Sequence, residues 1–338
     1  MGKKFFTILI LAFILLLALW LMKRRQQQDL PASVGAKAVK ALAVQRPWTA
    51  PDSSTLPGAD QGRLIRYGRD LISSTAAYFG PAGSISKKAN GMNCQNCHLQ
   101  GGTKPWGGNF GAVFSTYPKY RGRRGSIETV CERINDCFRR SLNGEALDTT
   151  SLEMKAMEAY MQWLGRGVPK SYKPPGTAIS ELPLMDRAAD PLRGAKVFAA
   201  QCQSCHGPKG QGAFLPGTKI YRYPPLWGPH SYNSGAGMIR ISLLAGFVRD
   251  NMPFGTLHQQ ARLSDEQAWD VAAYVNAQPR PAKTFPQDWP NISQKPIDYP
   301  FPPYSDHFSQ QQHKFGPFGP IKAANPQPGL KGPAGKSS

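Results

Sequence analysis

Asn93-Cys-Gln-Asn-Cys-His98 and Gln201-Cys-Gln-Ser-Cys-His206 place the same Cys-x-x-Cys-His arrangement at two points of a 338-residue chain. Two thiols at this spacing can bond the two vinyl groups of one porphyrin, and the adjoining histidine then reaches the iron. A bare Cys-x-x-Cys also serves zinc binding or dithiol exchange. The trailing histidine, the duplication and the flanking sequence favour haem. The sequence therefore predicts two covalently bound c-type haems. One is held by Cys94, Cys97 and His98, the other by Cys202, Cys205 and His206, with the histidines as proximal ligands.

Outward from the second motif, Pro191–Ala200 reads as a short helix leading into it. A Gly/Pro-rich loop, a helix around Met238–Val248, Met252-Pro253-Phe254-Gly255 and a helix over Ser264–Asn276 capped by Ser264 follow. Helix, haem motif, loop, methionine, helix resembles the small cytochrome c layout. Met252 is the expected sixth ligand of this iron; Met238, the competitor, falls on the apolar face of its helix. Around the first motif, Gln61–Thr75 has a helical apolar period and Gly101–Gly125 reads as loop. Ile127–Leu142 reads as a helix ended by Asn143-Gly144, and Ser151–Leu164 as another. The expected fold is mainly α: two cytochrome c-like domains, an extended Pro/aromatic C-terminal strap and one N-terminal transmembrane helix. The expected divisions are an anchor (1–25), a tether (26–57), domain one (58–166), a linker (167–190), domain two (191–280), an ordered strap (281–320) and a mobile tail (321–338).

Phe5–Met22 is an apolar run broken only by Thr7. As a helix rising ~1.5 Å per residue it spans roughly 27 Å, close to a bilayer core. Lys3 and Lys4 precede it, Lys23, Arg24 and Arg25 follow it, and no small-residue cleavage site adjoins it, which favours an uncleaved anchor. Because c-type haem is attached outside the cytoplasm, the expected location is the periplasmic side of a bacterial inner membrane. The net charge of +20 persists as a basic surplus beyond these flanks. No nucleic-acid motif accompanies it. An acidic electron-accepting cytochrome, a membrane oxidase component or a small anion fits the charge better.

Cys131 and Cys137 remain after haem attachment. Six positions apart on one helix, their Cα atoms stand roughly 9 Å apart along the axis and their side chains diverge, so they cannot form a disulfide. On the helical wheel Ile127, Val130, Ile134, Phe138 and Leu142 form the apolar stripe. Cys131 falls within it as a structural thiol. Cys137 lies on its flank, one turn from Arg133, with Arg123, Arg124, Arg139 and Arg140 close in sequence. That basic group is open to two readings: a solvated face, or a setting that holds a thiolate for iron and attracts an anionic substrate.

The segment Glu132-Arg-Ile-Asn-Asp-Cys137-Phe-Arg-Arg-Ser-Leu-Asn-Gly144, downstream of Asn93–Gly102, resembles the dihaem thiosulfate dehydrogenases. So do Phe285-Pro-Gln-Asp-Trp-Pro290 and Gln312-His-Lys-Phe-Gly-Pro-Phe318. The resemblance implies that two thiosulfates are joined into tetrathionate, reversibly in some members. It also implies that Cys137 is the ligand opposite His98, and that Arg123 and Arg133 clamp sulfonate oxygens. Electrons would leave through a His206/Met252 haem. Some members carry a lysine before that methionine and exchange the two as ligands; here Asn251, a poor haem ligand, implies a permanent His/Met centre. A non-enzymatic electron shuttle and a Sox-type sulfur-processing haem subunit are the competing readings.

The last expectation concerns the tail. Residues 281–320 combine many prolines with Phe285, Trp289, Tyr299, Phe301, Tyr304, Phe308, Phe315 and Phe318. Rings of that size favour docking over disorder, so an ordered strap without regular structure is expected there.

Overall fold

The computed structural model describes residues 47–325 and Trp20. The expected anchor, most of the tether and residues 326–338 lie outside this range. Among the described residues no helix is long and apolar enough to cross a membrane.

Domain one contains α1 (Ala59–Ser73), α2 (Thr75–Phe79), α3 (Val113–Thr116), a hairpin of β1 (Lys119–Arg121) and β2 (Ser126–Glu128), α4 (Val130–Arg140) and α5 (Leu152–Leu164). Ser151 caps α5, its Oγ accepting from the Met154 N–H at 3.2 Å. The apolar positions of α1 (Ile65, Leu71, Ile72) and of α5 (Met154, Met157, Tyr160, Leu164) recur at helical spacing and are buried in one core with Phe79 and Phe138.

Domain two repeats the plan with α6 (Pro191–Gln201), β3 (Ala213–Phe214), β4 (Tyr221–Tyr223), α7 (Ile241–Asn251) and α8 (Asp265–Ala277). Asp190 caps α6, accepting from the Leu192 N–H at 2.7 Å. Ser264 and Gln267 form a reciprocal capping box on α8. Its core gathers Phe198, Ile241, Trp269 and Ala272.

The two domains are closed by the same device. A Cβ on Gly68 would run into the Ala156 carbonyl and the Tyr160 side chain, so α1 crosses α5 with their backbones in contact. A Cβ on Gly194 would meet the Asp270 carbonyl and the Tyr274 side chain in the same way, where α6 crosses α8. In each case a glycine on the helix before the haem motif lies under a carbonyl of the last helix, and a tyrosine stands four positions beyond that carbonyl.

Several expectations change here. The segment read as loop contains α3 and β1. The helix expected from Ile127 begins at Val130, because Ser126–Glu128 pairs with Lys119–Arg121 and Thr129 starts the helix through a capping box with Glu132. Ile127 is consequently 59% exposed and leaves the apolar stripe.

The expectation of a C-terminal segment without regular structure is corrected. The segment forms α9 (Gln310–Phe315) and α10 (Phe318–Ala324), after a Ser309 cap and around Pro317. Phe315, Phe318 and Ile321 enter the core of domain two. The expected boundary at 320/321 therefore falls inside α10, with Ile321 0% exposed. Upstream, Asp298 sits at the start of α7, accepting from Arg240 Nε at 2.6 Å and from the Ser242 N–H at 3.2 Å.

Candidate active site

The α4 helix carries the chemistry of domain one. The Thr129 hydroxyl accepts from the Glu132 N–H, and a Glu132 carboxylate oxygen accepts from the Thr129 N–H at 2.8 Å, which fixes the first turn. The far end stops where Asn143 adopts φ +46 and the Gly144 N–H donates to Phe138. Val130, Ile134, Phe138 and Leu142 are buried on one side, with Phe138 edge-on to Phe79 at 5.4 Å. This burial fixes the rotation of the helix and hence where Arg133 and Cys137 point.

Those two residues converge on the first haem motif. Burial, the neighbouring Cys137 and then Cys94 push the Cys97 thiol up to about 12. Burial chiefly pushes Cys94 to about 12 as well, with a Thr75 hydrogen bond opposing and Cys137 adding. Once bonded to porphyrin these sulfurs are thioethers and do not titrate, so what matters is the apolar setting and the nearness of Cys137. The Cys137 sulfur is also the main reason that Arg133 is held cationic above its ordinary value. Burial drives His98 down to about 4, a hydrogen bond to Gly108 opposes, and Arg133 adds to the fall. His98 is therefore a neutral imidazole, with Nδ1 engaged by the Gly108 carbonyl and Nε2 the nitrogen that could coordinate an iron.

Cys131 sits on a different flank. It is half-buried against the core, and burial followed by a hydrogen bond with Glu158 raises it to about 12. Neither cysteine of α4 is in a disulfide.

The arginines close in sequence sort into different tasks. Arg124 pairs with Glu132 at 2.7 Å, and the exposed Arg139 lies 3.8 Å from Asp136. Arg140 grips both oxygens of Asp288, at 2.8 and 2.7 Å, and lies 3.8 Å over the Phe285 ring. Arg123 is buried, donates to the Gly235 carbonyl at 3.1 Å and faces Asp288, Trp289 and Tyr299. Burial first, then Arg140, lowers it to about 10. Arg133 alone of this group has no hydrogen bond or ion pair to its side chain among the described residues.

Sequence reasoning passed over Lys119. The hairpin brings its ammonium 4.4 Å over the Tyr117 ring and near Arg133. Burial, then Arg121, Lys173 and Arg133, lower it to about 8. Its alternation with Arg121 along β1 is the only signal the sequence offered. Asp288 lies within the Phe285–Pro290 stretch, but its pairing with Arg140 leaves no local signal in the sequence.

In domain two, the His206 Nδ1 is 2.9 Å from the Pro224 carbonyl, and burial lowers its pKa. Cys202 packs on the second core. Met252 follows α7, its N–H donating to Val248 at 2.8 Å. Asn251 is buried and turned elsewhere, its Nδ2 donating to the carbonyls of Trp106 at 3.0 Å and Phe247 at 2.9 Å. Both motifs thus present paired sulfurs and a half-buried imidazole oriented by a backbone carbonyl, which is the donor set a c-type haem requires.

A family model described as cytochrome c matches residues 192–279, and one described as SoxA/TsdA, cytochrome c domain, matches residues 84–169. Thiosulfate dehydrogenase of Allochromatium vinosum is 40% identical over 237 residues, covering 69% of this chain and 84% of that protein. Thiosulfate dehydrogenase of Psychrobacter arcticus is 39% identical over 245 residues, covering 71% of each. The structure of thiosulfate dehydrogenase (TsdBA) from Marichromatium purpuratum, in its as-isolated form, superposes with a TM-score of 0.64 at 35% identity. That match covers 71% of this chain but 51% of the other, so this chain spans about half of its length.

Proposed function

The chain belongs to the dihaem thiosulfate dehydrogenase family, and on that premise we propose that Cys137, with Arg133 one turn before it, is where two thiosulfates become tetrathionate. The protein is an oxidoreductase acting on thiosulfate, with two covalently bound c-type haems. The observation that carries the site assignment is the Arg133 guanidinium beside Cys137, without a hydrogen bond or ion pair among the described residues, while Arg124 and Arg140 are held by carboxylates.

The bound haems supply the acceptor for the two electrons released. Arg133 receives the sulfonate oxygens of thiosulfate through charge-assisted hydrogen bonds, and Arg123 and Lys119 add positive charge around it. The Cys137 thiolate forms a bond to the outer sulfur of the first thiosulfate as that electron pair leaves. The outer sulfur of a second thiosulfate then attacks the substrate-derived sulfur, the bond to Cys137 breaks, tetrathionate departs and the thiolate is restored. No proton changes hands in either step.

The same reading gives the first iron His98 and Cys137, and the second His206 and Met252. The Asn251 amide donates to the Trp106 and Phe247 carbonyls, which supports Met252 over its neighbour as the ligand. It extends to an acidic electron-accepting partner for the basic surface, and to anchoring by Phe5–Met22 on the periplasmic side of the inner membrane. The test is anaerobic addition of thiosulfate to the purified haem-loaded protein. Reduction of the first haem is expected in the native chain and in Cys131→Ser, and its loss in Cys137→Ala. Undiminished reduction in Cys137→Ala would overturn the assignment.

A further inference from the structure

We propose that Trp106, stacked on His258, is a positioning residue that fixes the Met252 loop of domain two against the loop orienting His98 in domain one. The proposal rests on the reading of Met252 as an iron ligand.

The observations form a closed set. The loop from His98 to Gly108 ends on the carbonyl that engages His98 Nδ1. Two positions before that carbonyl, the Trp106 indole lies parallel to the His258 imidazole, with centroids 3.9 Å apart and planes 3° from parallel. The Trp106 carbonyl accepts from Asn251 Nδ2 at 3.0 Å, and Lys104 Nζ donates to the Thr256 carbonyl at 3.0 Å. Residues 251, 256 and 258 therefore all attach to residues 104–106, and Met252 lies on the backbone between the first two. From the domain-two side His258 is braced in turn. Its Nδ1 is 2.9 Å from Asp250, a buried carboxylate that also takes hydrogen bonds from Ser180 and Arg249.

The backbone at Trp106 supports a role beyond packing. Its φ is +54, a region a bulky L-residue rarely occupies, and it persists only when surrounding contacts over-determine it. Here the constraints are the stack, the Asn251 bond and the Trp106 N–H donating to Gly176 at 2.7 Å. The geometry ties the ligand-bearing loops of the two domains into one unit, so the methionine sulfur is placed partly by the other domain.

The experiment uses the haem-loaded full chain and reads the near-infrared methionine-to-iron charge-transfer band and the reduction potential of haem two. Trp106→Ala is expected to weaken that band and lower that potential, since methionine ligation raises it. The spectrum of haem one should be unchanged, and Trp106→Phe should restore both readings through ring stacking. His258→Ala attacks the same stack from the other side and keeps the test open if Trp106→Ala does not accumulate. A wild-type band and potential in either folded variant, or an equal disturbance of haem one, overturns the proposal. Met252→Gly separates the two readings: a band surviving that change sinks the ligand assignment, whereas a band lost there but intact without the stack sinks only the clamp.

Discussion

Domain one and domain two close over their haem motifs with the same glycine-under-carbonyl crossing, Gly68 against Ala156 and Gly194 against Asp270, yet they are equipped for different work. Between motif and final helix each domain has a two-stranded hairpin and then a helix; in domain two that helix, α7, leads into Met252, whereas in domain one it is α4, which carries Arg133 and Cys137. The crossing is the shared frame; α4, with Cys137 one turn from Arg133, is what sets domain one apart, and it is there that the proposed chemistry is placed. Function here belongs to what the shared frame holds.

The largest expected effect tests that division. Cys137→Ala should keep both haems and lower thiosulfate oxidation by more than about 100-fold, as removal of a covalent nucleophile does. Met252→Gly should leave thiosulfate-driven reduction of the first haem intact in single-turnover absorbance measurements. Loss of that reduction in Met252→Gly would break the comparison. Next, Arg133→Gln should lower kcat/KM by about 10- to 100-fold, the size of one lost charge-assisted interaction. Arg124→Gln, whose partner is Glu132, should stay near wild type in the same steady-state assay. If the two fall equally, the basic group acts as a diffuse field and Arg133 has no special place.

The crossings can be tested against each other by stability. Gly68→Ala and Gly194→Ala each push a methyl into a backbone carbonyl and should each cost about 1–3 kcal/mol in denaturant unfolding followed at both haems. A cost at only one site would show that the likeness of the crossings is superficial. The smallest effect concerns Lys119. Its pKa is lowered to about 8, so the ammonium is present below that pH and lost as pH rises through it. Facing it are Arg121 on β1, Arg133 on α4, Lys173 in the linker, Glu128 and the Tyr117 ring, of which only Glu128 opposes the shift. KM for the thiosulfate dianion should rise a few-fold across that window. Lys119→Met should remove the step and raise KM at neutral pH.

Much of the frame was legible because it is local. The haem motifs announce themselves by spacing, α1, α5 and α8 by apolar period, and α8 also by its Ser264 cap. The separation of Cys131 from Cys137 needed only helix geometry, although Cys131 is half-buried where full burial was expected. The tasks of the arginines were not legible, because they depend on distant partners: Asp288 is 148 positions from Arg140. Lys119 and Trp106 were hidden for the same reason. Helices α9 and α10 were missed because proline enrichment obscures short helices whose stability comes from rings docked in another domain's core.

The C-terminal strap bears on the order of manufacture. Phe285 and Asp288 hold α4, Asp298 sits on α7, and Phe315, Phe318 and Ile321 complete the second core. A chain is made from its N-terminus, so this segment emerges after both haem motifs and both closing helices. Thioether formation can thus take place on domains that are still open, and a segment made after both of them acts as the fastening. A chain stopped at residue 280 should accept both porphyrins and yet hold them in loosened domains, visible as faster proteolysis with the thioether bonds intact.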